Sequence, residues 1–350
     1  MNKSGLLPAI LDSLVTRFYR NKKILLFITV VFFSLIGSAL GILEEVVPLI
    51  LIFVPLAIKL GWDPFTGIAI PFLSAGIGFA AATFNPFTLG TAQRLAGIPL
   101  FSGLSLRFPL FIVTTLLVVI FLLRYTAKFD KTNSVTEPLV PDGGNSFRNL
   151  KKAVVFIIIC FSGLALLVAA GNFYTPLSDY SFPIIALIFL IMGIGVGVIS
   201  GGGGKTIASY FFSGTLSFAP AIILILLAAA VGYIIETGGI LPTLLNYISP
   251  RLASLGRGGG ALLLYFVQMG INFFIPSGSG QAVLTIPILA PLGDLIGVSR
   301  QTVVLAFQFG DGFSNLLWPT NPMLLIALGL AGIGYKDWLK KVLPDRKSVV

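Results

Sequence analysis

Long, nearly uncharged apolar runs at 104–123, 153–171, 182–199 and 219–235 constrain this chain more than any other feature. A helix rises ~1.5 Å per residue, so ~20 such residues cross the ~30 Å hydrocarbon core of a bilayer. The runs are continuous rather than alternating, which suits helices and not an outer-membrane barrel. Composition agrees: 56% of the 350 residues are hydrophobic and 10% are charged, with a mean hydropathy of +0.99. A soluble globule of this kind could not cover its apolar surface, so an all-α integral membrane protein with the lipid bilayer as its solvent is expected. The absence of His removes imidazole relays and the usual triads, and the lone Cys160 permits no intramolecular disulfide.

A net charge of +10 raises the question of nucleic acid, but the basic residues sit at the ends of apolar segments rather than on a soluble face. Topology accounts for them, and no nucleic-acid partner is expected. With Arg17, Arg20, Lys22 and Lys23 cytoplasmic and one crossing per long span, 18 of the 23 Lys and Arg fall inside. The other five, Arg94, Arg107, Arg251, Arg257 and Arg300, fall outside, as the positive-inside rule asks. This places the chain in the cytoplasmic (inner) membrane as a multi-pass protein.

Residues 47–89 align without gaps on 283–325, with 11 of the 43 positions identical. The identities include Gly61/Gly297, Thr66/Thr302, Gly76/Gly312 and Asn85-Pro86/Asn321-Pro322, residue types that impose backbone demands. Each half reads as an amphipathic arm (6–20; 241–255), two apolar legs around a tip (24–43 and 46–60; 260–275 and 282–296), and a long segment broken at Asn-Pro (62–98; 298–333). Legs of about fifteen residues are short of a span, so each pair is expected to be a re-entrant hairpin. The expected organisation is an inverted-repeat transporter: a first repeat over 1–126, a cytoplasmic linker over 127–152, a second repeat over 153–344 and a tail over 345–350.

The candidate site residues lie at the tips and breaks. The first tip, GILEEVVP at 41–48, carries Glu44 and Glu45, carboxylates that cost ~2.5–3.5 kcal/mol each at membrane depth. The second tip, PSGSGQAV at 276–283, offers Ser277, Ser279 and Gln281. The breaks offer Asn85 and Thr88, and Asn315, Thr320 and Asn321, with Asp311 in a Gly-flanked kink. Proline frees backbone carbonyls, and carbonyl, Asn and Thr oxygens suit a small cation, so transient sodium at Asn85 and Asn321 is expected, with no resident metal or cofactor and a coupling ion of sodium or proton. Glu236 reads as interfacial. The run GGGGK at 201–205 lacks Walker spacing and reads as a cytoplasmic turn.

The motifs GxGFxxAxxNPFTxGxAQ…AGIPLFSG at 76–103 and NFFIPSGSGQA…VLAFQFGDGFSN at 272–315 resemble the YfcC-type branch of the ion transporter superfamily over about residues 5–343. That resemblance implies a carrier of basic amino acids or C4-dicarboxylates in which both tips and both breaks line the transport site. It also implies an elevator-like transport domain moving against a dimeric scaffold, hence a homodimer. Family proteins carry further spans before the first arm and a final helix after the second break, so a chain shortened at both ends is expected. The function read here is secondary transport of a small polar metabolite, an amino acid first and a C4-dicarboxylate second. A partner-dependent remnant is the alternative from another class. An intramembrane enzyme lacks support: there is no His, no HExxH and no paired aspartates on facing spans.

Overall fold

A computed structural model of the chain describes residues 21–130, 181–199, 201, 203–217 and 255–343, with scattered positions over 152–166 and 230–250. The arm at 6–20, most of the arm at 241–255, the linker beyond 130, Glu236 and most of the spans 153–171 and 219–235 lie outside the described residues. Within them all regular structure is helical. Among the described residues two helices, Lys22–Leu40 and Leu104–Phe129, are long and apolar enough to cross a membrane.

The first half opens with α1 (Lys22–Leu40), which stops at Gly41 in the left-handed region, φ 72°. A tight 3-10 stretch, Glu44–Leu49, leads into α2 (Ile50–Lys59). Helix α3 (Pro64–Ala80) follows, widened into a π turn over Ala69–Leu73 around Pro71. After a non-helical interval, a second π turn at Pro86–Gly90 runs into α4 (Thr91–Leu95), and α5 (Leu104–Asp130) is the long span. Helices α6 (Ser181–Ile199) and α7 (Gly204–Ser217) flank the turn at Gly201. The second half repeats the order: α8 (Gly256–Phe274), α9 (Gly278–Leu295), α10 (Arg300–Ser314), α11 (Pro322–Ala331) and the amphipathic α12 (Tyr335–Val342).

Both helix pairs double back. Lys22 Nζ, at the start of α1, donates to the Leu60 carbonyl just past α2 at 2.6 Å. At the other pair, Arg257 at the start of α8 lies so near Gly297, past α9, that a Cβ there would sit 2.9 Å from Arg257 Nε. The legs differ from expectation in one respect: Ser277 caps α9, so that leg runs 18 residues rather than about fifteen.

Packing is reciprocal. Helix α1 packs along Ser74–Ala80 of α3, and α8 along α10. Helix α2 packs against α11 of the other half, and α9 against α4. Helices α3 and α10 cross where only glycine leaves room: a Cβ on Gly76 would lie 2.5 Å from Leu316 Cδ2, and one on Gly312 2.4 Å from Ala80 Cα. These are the same two contacts with the halves exchanged, since 76 aligns with 312 and 80 with 316.

The ends of the molecule are tied by different ion pairs. Near Lys22 and Leu60, Asp63 pairs with Lys341 at 2.8 Å and accepts from Tyr125 at 2.7 Å, which fixes α12 and the end of α5 to the first half. At the opposite end Arg300 donates to the Ala96 carbonyl at 2.7 Å and pairs with Asp294.

Candidate functional site

The breaks are built by Asn-Pro in the same way twice. Asn85 Oδ1 accepts from the N–H groups of Phe87 (2.9 Å) and Thr88 (3.1 Å), with Pro86 in the first helical position, where its missing N–H costs nothing. Asn321 Oδ1 accepts from Met323 N–H at 2.9 Å, ahead of Pro322. The side-chain oxygens expected to be free for sodium are therefore engaged as helix caps, and what each break presents is a helix N-terminus. Freed carbonyls are also met by side chains: Ala81 O by Ser38 Oγ, Leu316 O by Trp338 Nε1 and Leu317 O by Tyr335 OH.

A cavity of about 190 Å³ joins both tips and both breaks. Its walls are Leu43 and Glu44 from the first tip, Pro276–Ser279 from the second, Phe87 and Thr88 from the first break, and Asn315 and Asn321–Met323 from the second, with Phe79 beside them. Of the expected residues, Glu44, Thr88, Ser277, Ser279, Asn315 and Asn321 meet here. The starts of α9 and α11, and of the helical stretch from Pro86, face the same space, and each brings a positive dipole end. Glu44 supplies the opposite charge.

The other expected residues do not line the cavity. Glu45 is half-buried beside Glu44. Asn85 is buried against the first tip: its Oδ1 lies 2.4 Å from where a Cβ on Gly41 would stand. Gln281 is buried between the legs of the second hairpin, where Nε2 donates to Gln268 O at 2.9 Å, while Gln268 Nε2 donates to Thr285 Oγ1 at 2.9 Å. Thr320 Oγ1 is buried without a hydrogen-bond partner. Asp311 stands inside continuous α10 rather than at a kink, because the helix holds to Ser314 and breaks only over 315–321.

Behind the cavity, Asp311, Asn315 and Asn321 are joined in a polar network with residues that the sequence reading left out. Asn272 Nδ2 donates to Ser314 Oγ (2.6 Å), Asn315 Oδ1 (3.0 Å) and Asp311 O (3.2 Å). Asn321 Nδ2 donates to Asn315 O at 2.8 Å, and Asn315 Nδ2 to Asp311 Oδ1 at 3.3 Å. Gln308 Nε2 crosses to the Phe79 carbonyl at 2.8 Å. Asn272, Gln268 and Gln308 are uncharged amides inside apolar helices, and that rarity was the signal available in the sequence.

Comparison with known proteins agrees with this architecture. The chain matches the model of a family described as DcuC, C4-dicarboxylate anaerobic carrier, over residues 1–345. It is 35% identical over 341 residues to the "Putative basic amino acid antiporter YfcC" of Escherichia coli (strain K12), covering 90% of this chain and 66% of that protein. An uncharacterized protein of Haemophilus influenzae is 29% identical over 98% of this chain and 69% of its own length. A "Putative short-chain fatty acid transporter" from the same organism is 25% identical over 77% of this chain and 63% of its own. The chain thus spans about two thirds of the length of these relatives. In fold it is similar to the YdaH transporter of Alcanivorax borkumensis, with a TM-score of 0.52 and 22% identity over 98% of this chain and 78% of that one. Matched by the family model over nearly its whole length, the chain belongs to the C4-dicarboxylate anaerobic carrier family.

Proposed function

We propose that this chain carries a small carboxylate-bearing metabolite, an amino acid in the first place, across the cytoplasmic membrane by secondary transport. The observation that carries the reading is the cavity itself, where three helix N-termini and the Glu44 carboxylate share one wall system. Helix N-termini hold a carboxylate through N–H groups and dipole, and Glu44 meets an ammonium group with a charge-assisted bond. An amino acid brings both groups. The E. coli relative bears an amino acid antiporter's name, which supports the same choice.

In this reading the two doubled-back helix pairs are re-entrant hairpins entering from opposite faces, within inverted repeats over 1–126 and 153–344. Reciprocal packing of the halves, and the gathering of Lys22 and Lys341 at one end and Arg257 and Arg300 at the other, support it. The helices around the cavity then move as one body against a scaffold, elevator-fashion, in a homodimer.

A second reading, a C4-dicarboxylate carrier, is favoured by the family description and by the number of N-termini at the cavity. A counterflow screen in proteoliposomes, radiolabelled amino acids against dicarboxylates, separates the two. Trans-stimulated uptake of amino acids with none of dicarboxylates is the expected result, and the reverse pattern overturns it. Solute binding in detergent without uptake would mean that a partner chain supplies the scaffold.

A further inference from the structure

We infer that Asp311 is a proton-carrying group, set behind the solute cavity and opened to it by movement of the second hairpin tip. The side chain is fully buried in α10. Its Oδ1 accepts a long bond from Asn315 Nδ2, and its Oδ2 has no hydrogen-bond partner. Oδ2 is turned to the second tip, 2.8 Å from where a Cβ on Gly278 would stand, with Thr88 Cγ2 2.4 Å from the same point. Gly278 and Thr88 both line the cavity, so one residue without a side chain separates the carboxyl from the solute space.

No fixed charge balances this group. Among the described residues of the elements packed on α10, α3 has no ionisable side chain, and Arg94 beyond the first break is exposed. Helix α9 holds Asp294, exposed and paired to Arg300 at the far end of α10, while α8 holds exposed Arg257 and half-buried Tyr265, whose carbonyl rather than phenol faces Gly310. Glu44 lies across the cavity and is of like sign. An unpaired carboxylate at this depth is costly, so the occluded site needs a cation. A hard metal cation takes about six or more oxygen ligands. Several local oxygens are spent: Asn315 Oδ1 accepts from both Asn272 and Asn321, Asn321 Oδ1 caps α11, and Ser314 Oγ is bonded to Gly310 O and Asn272. Asn272 Oδ1, Gln308 Oε1 and Thr88 Oγ1 are unpaired, but even with both carboxylate oxygens they fall short of that number. A proton needs one oxygen, and Oδ2 is free. An O–H bond forms at Oδ2 with a proton taken from water when the tip opens, and it breaks to water on the other side.

The consequence for transport rests on the function proposed above, but the site is tested without transport. Infrared spectra of reconstituted, solute-free protein, titrated with pH, should show a protonated-carboxyl band that is absent from Asp311→Asn and retained in Glu44→Gln. Gly278→Ala, whose methyl presses on Oδ2, should move the midpoint of that band upward by about one pH unit. This variant also carries the test if Asp311→Asn does not fold. A band unchanged by both substitutions overturns the assignment, as does a band abolished at constant pH by sodium. Uptake driven by a pH gradient should be lost in Asp311→Asn. If the band behaves as stated while wild-type protein moves no solute, the proton site stands and the transport reading falls.

Discussion

The two halves share a backbone plan and differ in what they put on it. Gly76 and Gly312 open the same crossing, and Asn85 and Asn321 cap the same helices. The chemistry, however, is one-sided. Aligned positions pair Thr285 with Leu49, Gln308 with Phe72, Asp311 with Ala75, Ser314 with Gly78 and Asn315 with Phe79. The second half is threaded by amides and a carboxyl, while the first buries mostly hydroxyls, among them Ser34, Ser38, Ser74 and Thr83, and carries its carboxylates at the tip, where Glu44 and Glu45 answer Gly280 and Gln281. Symmetry therefore resides in the residues that shape the chain, and asymmetry in those that could read a solute with two unlike ends.

The comparison breaks first at the shared crossing. Gly312→Val drives a side chain into the backbone of Ala80 and should cost more than ~3 kcal/mol, the upper end of ordinary overpacking, whereas Gly76→Ala meets only the Leu316 side chain and should cost ~1–2 kcal/mol. Yield of monodisperse protein ranks the two, and a wild-type yield from Gly312→Val would mean that the helices do not cross at this point. Next comes the polar half. Asn272→Leu strips Ser314, Asn315 and the Asp311 carbonyl of a common donor, with an expected loss of ~2–3 kcal/mol. Ile36→Leu on the matching leg should change stability by less than ~1.5 kcal/mol. Thermal unfolding in detergent reads the difference, and a mild effect of Asn272→Leu would reduce the network to incidental contacts.

Much of this plan is legible in sequence because Gly, Pro and Asn act locally. Asn-Pro announces a cap, and its recurrence at 85–86 and 321–322 locates both breaks. The capping role of Asn85 and Asn321 is equally local, because an Asn oxygen before Pro is within reach of the next helix's N–H groups and accepts from them. The Asn272–Asp311–Asn315 network escaped detection since it depends on α8 lying against α10, a contact between residues 39 to 43 positions apart. Likewise, nothing in the string YKDWLKKV says that Trp338 will close a carbonyl at the second break.

The acidic tip gives a smaller effect on stability and a larger one on recognition. Glu44→Gln keeps the shape of the cavity and removes its charge, so the affinity for a cationic or zwitterionic solute should fall by about tenfold, ~1.4 kcal/mol. Gly280 at the aligned position of the other tip faces no such demand, and Gly280→Ala should leave affinity within about twofold. Equilibrium binding to proteoliposomes decides, and similar losses in both variants would erase the functional distinction between the tips.

The smallest contrast is between the two caps at the ends of the molecule, Asp63 before α3 and Ser299 before α10, which occupy aligned positions and hold aligned partners. Asp63 Oδ1 accepts from Thr66 N–H at 3.0 Å and Thr66 Oγ1 at 2.8 Å, as Ser299 Oγ accepts from Thr302 N–H at 3.2 Å. Only Asp63 is ionisable. Burial alone would raise its pKa, but Lys341, Tyr125 and the Thr66 donors outweigh burial and hold the carboxyl below its ordinary value. A depressed folded pKa means that the unfolded chain takes up the proton first as pH falls. The contribution of ionised Asp63 is therefore complete above the unfolded value of ~3.9 and disappears as pH drops through the folded one. The Lys341 pair is partly open to solvent, so that contribution is set at about 1 kcal/mol. Asp63→Asn should lower the unfolding temperature at neutral pH and converge on the wild type only as pH falls through the depressed folded pKa. Ser299→Ala should cost about 1 kcal/mol at every pH, because a hydroxyl cap does not titrate. Parallel pH curves for the two variants would show that Asp63 acts as a neutral cap, and that the α12 contact adds nothing electrostatic to it.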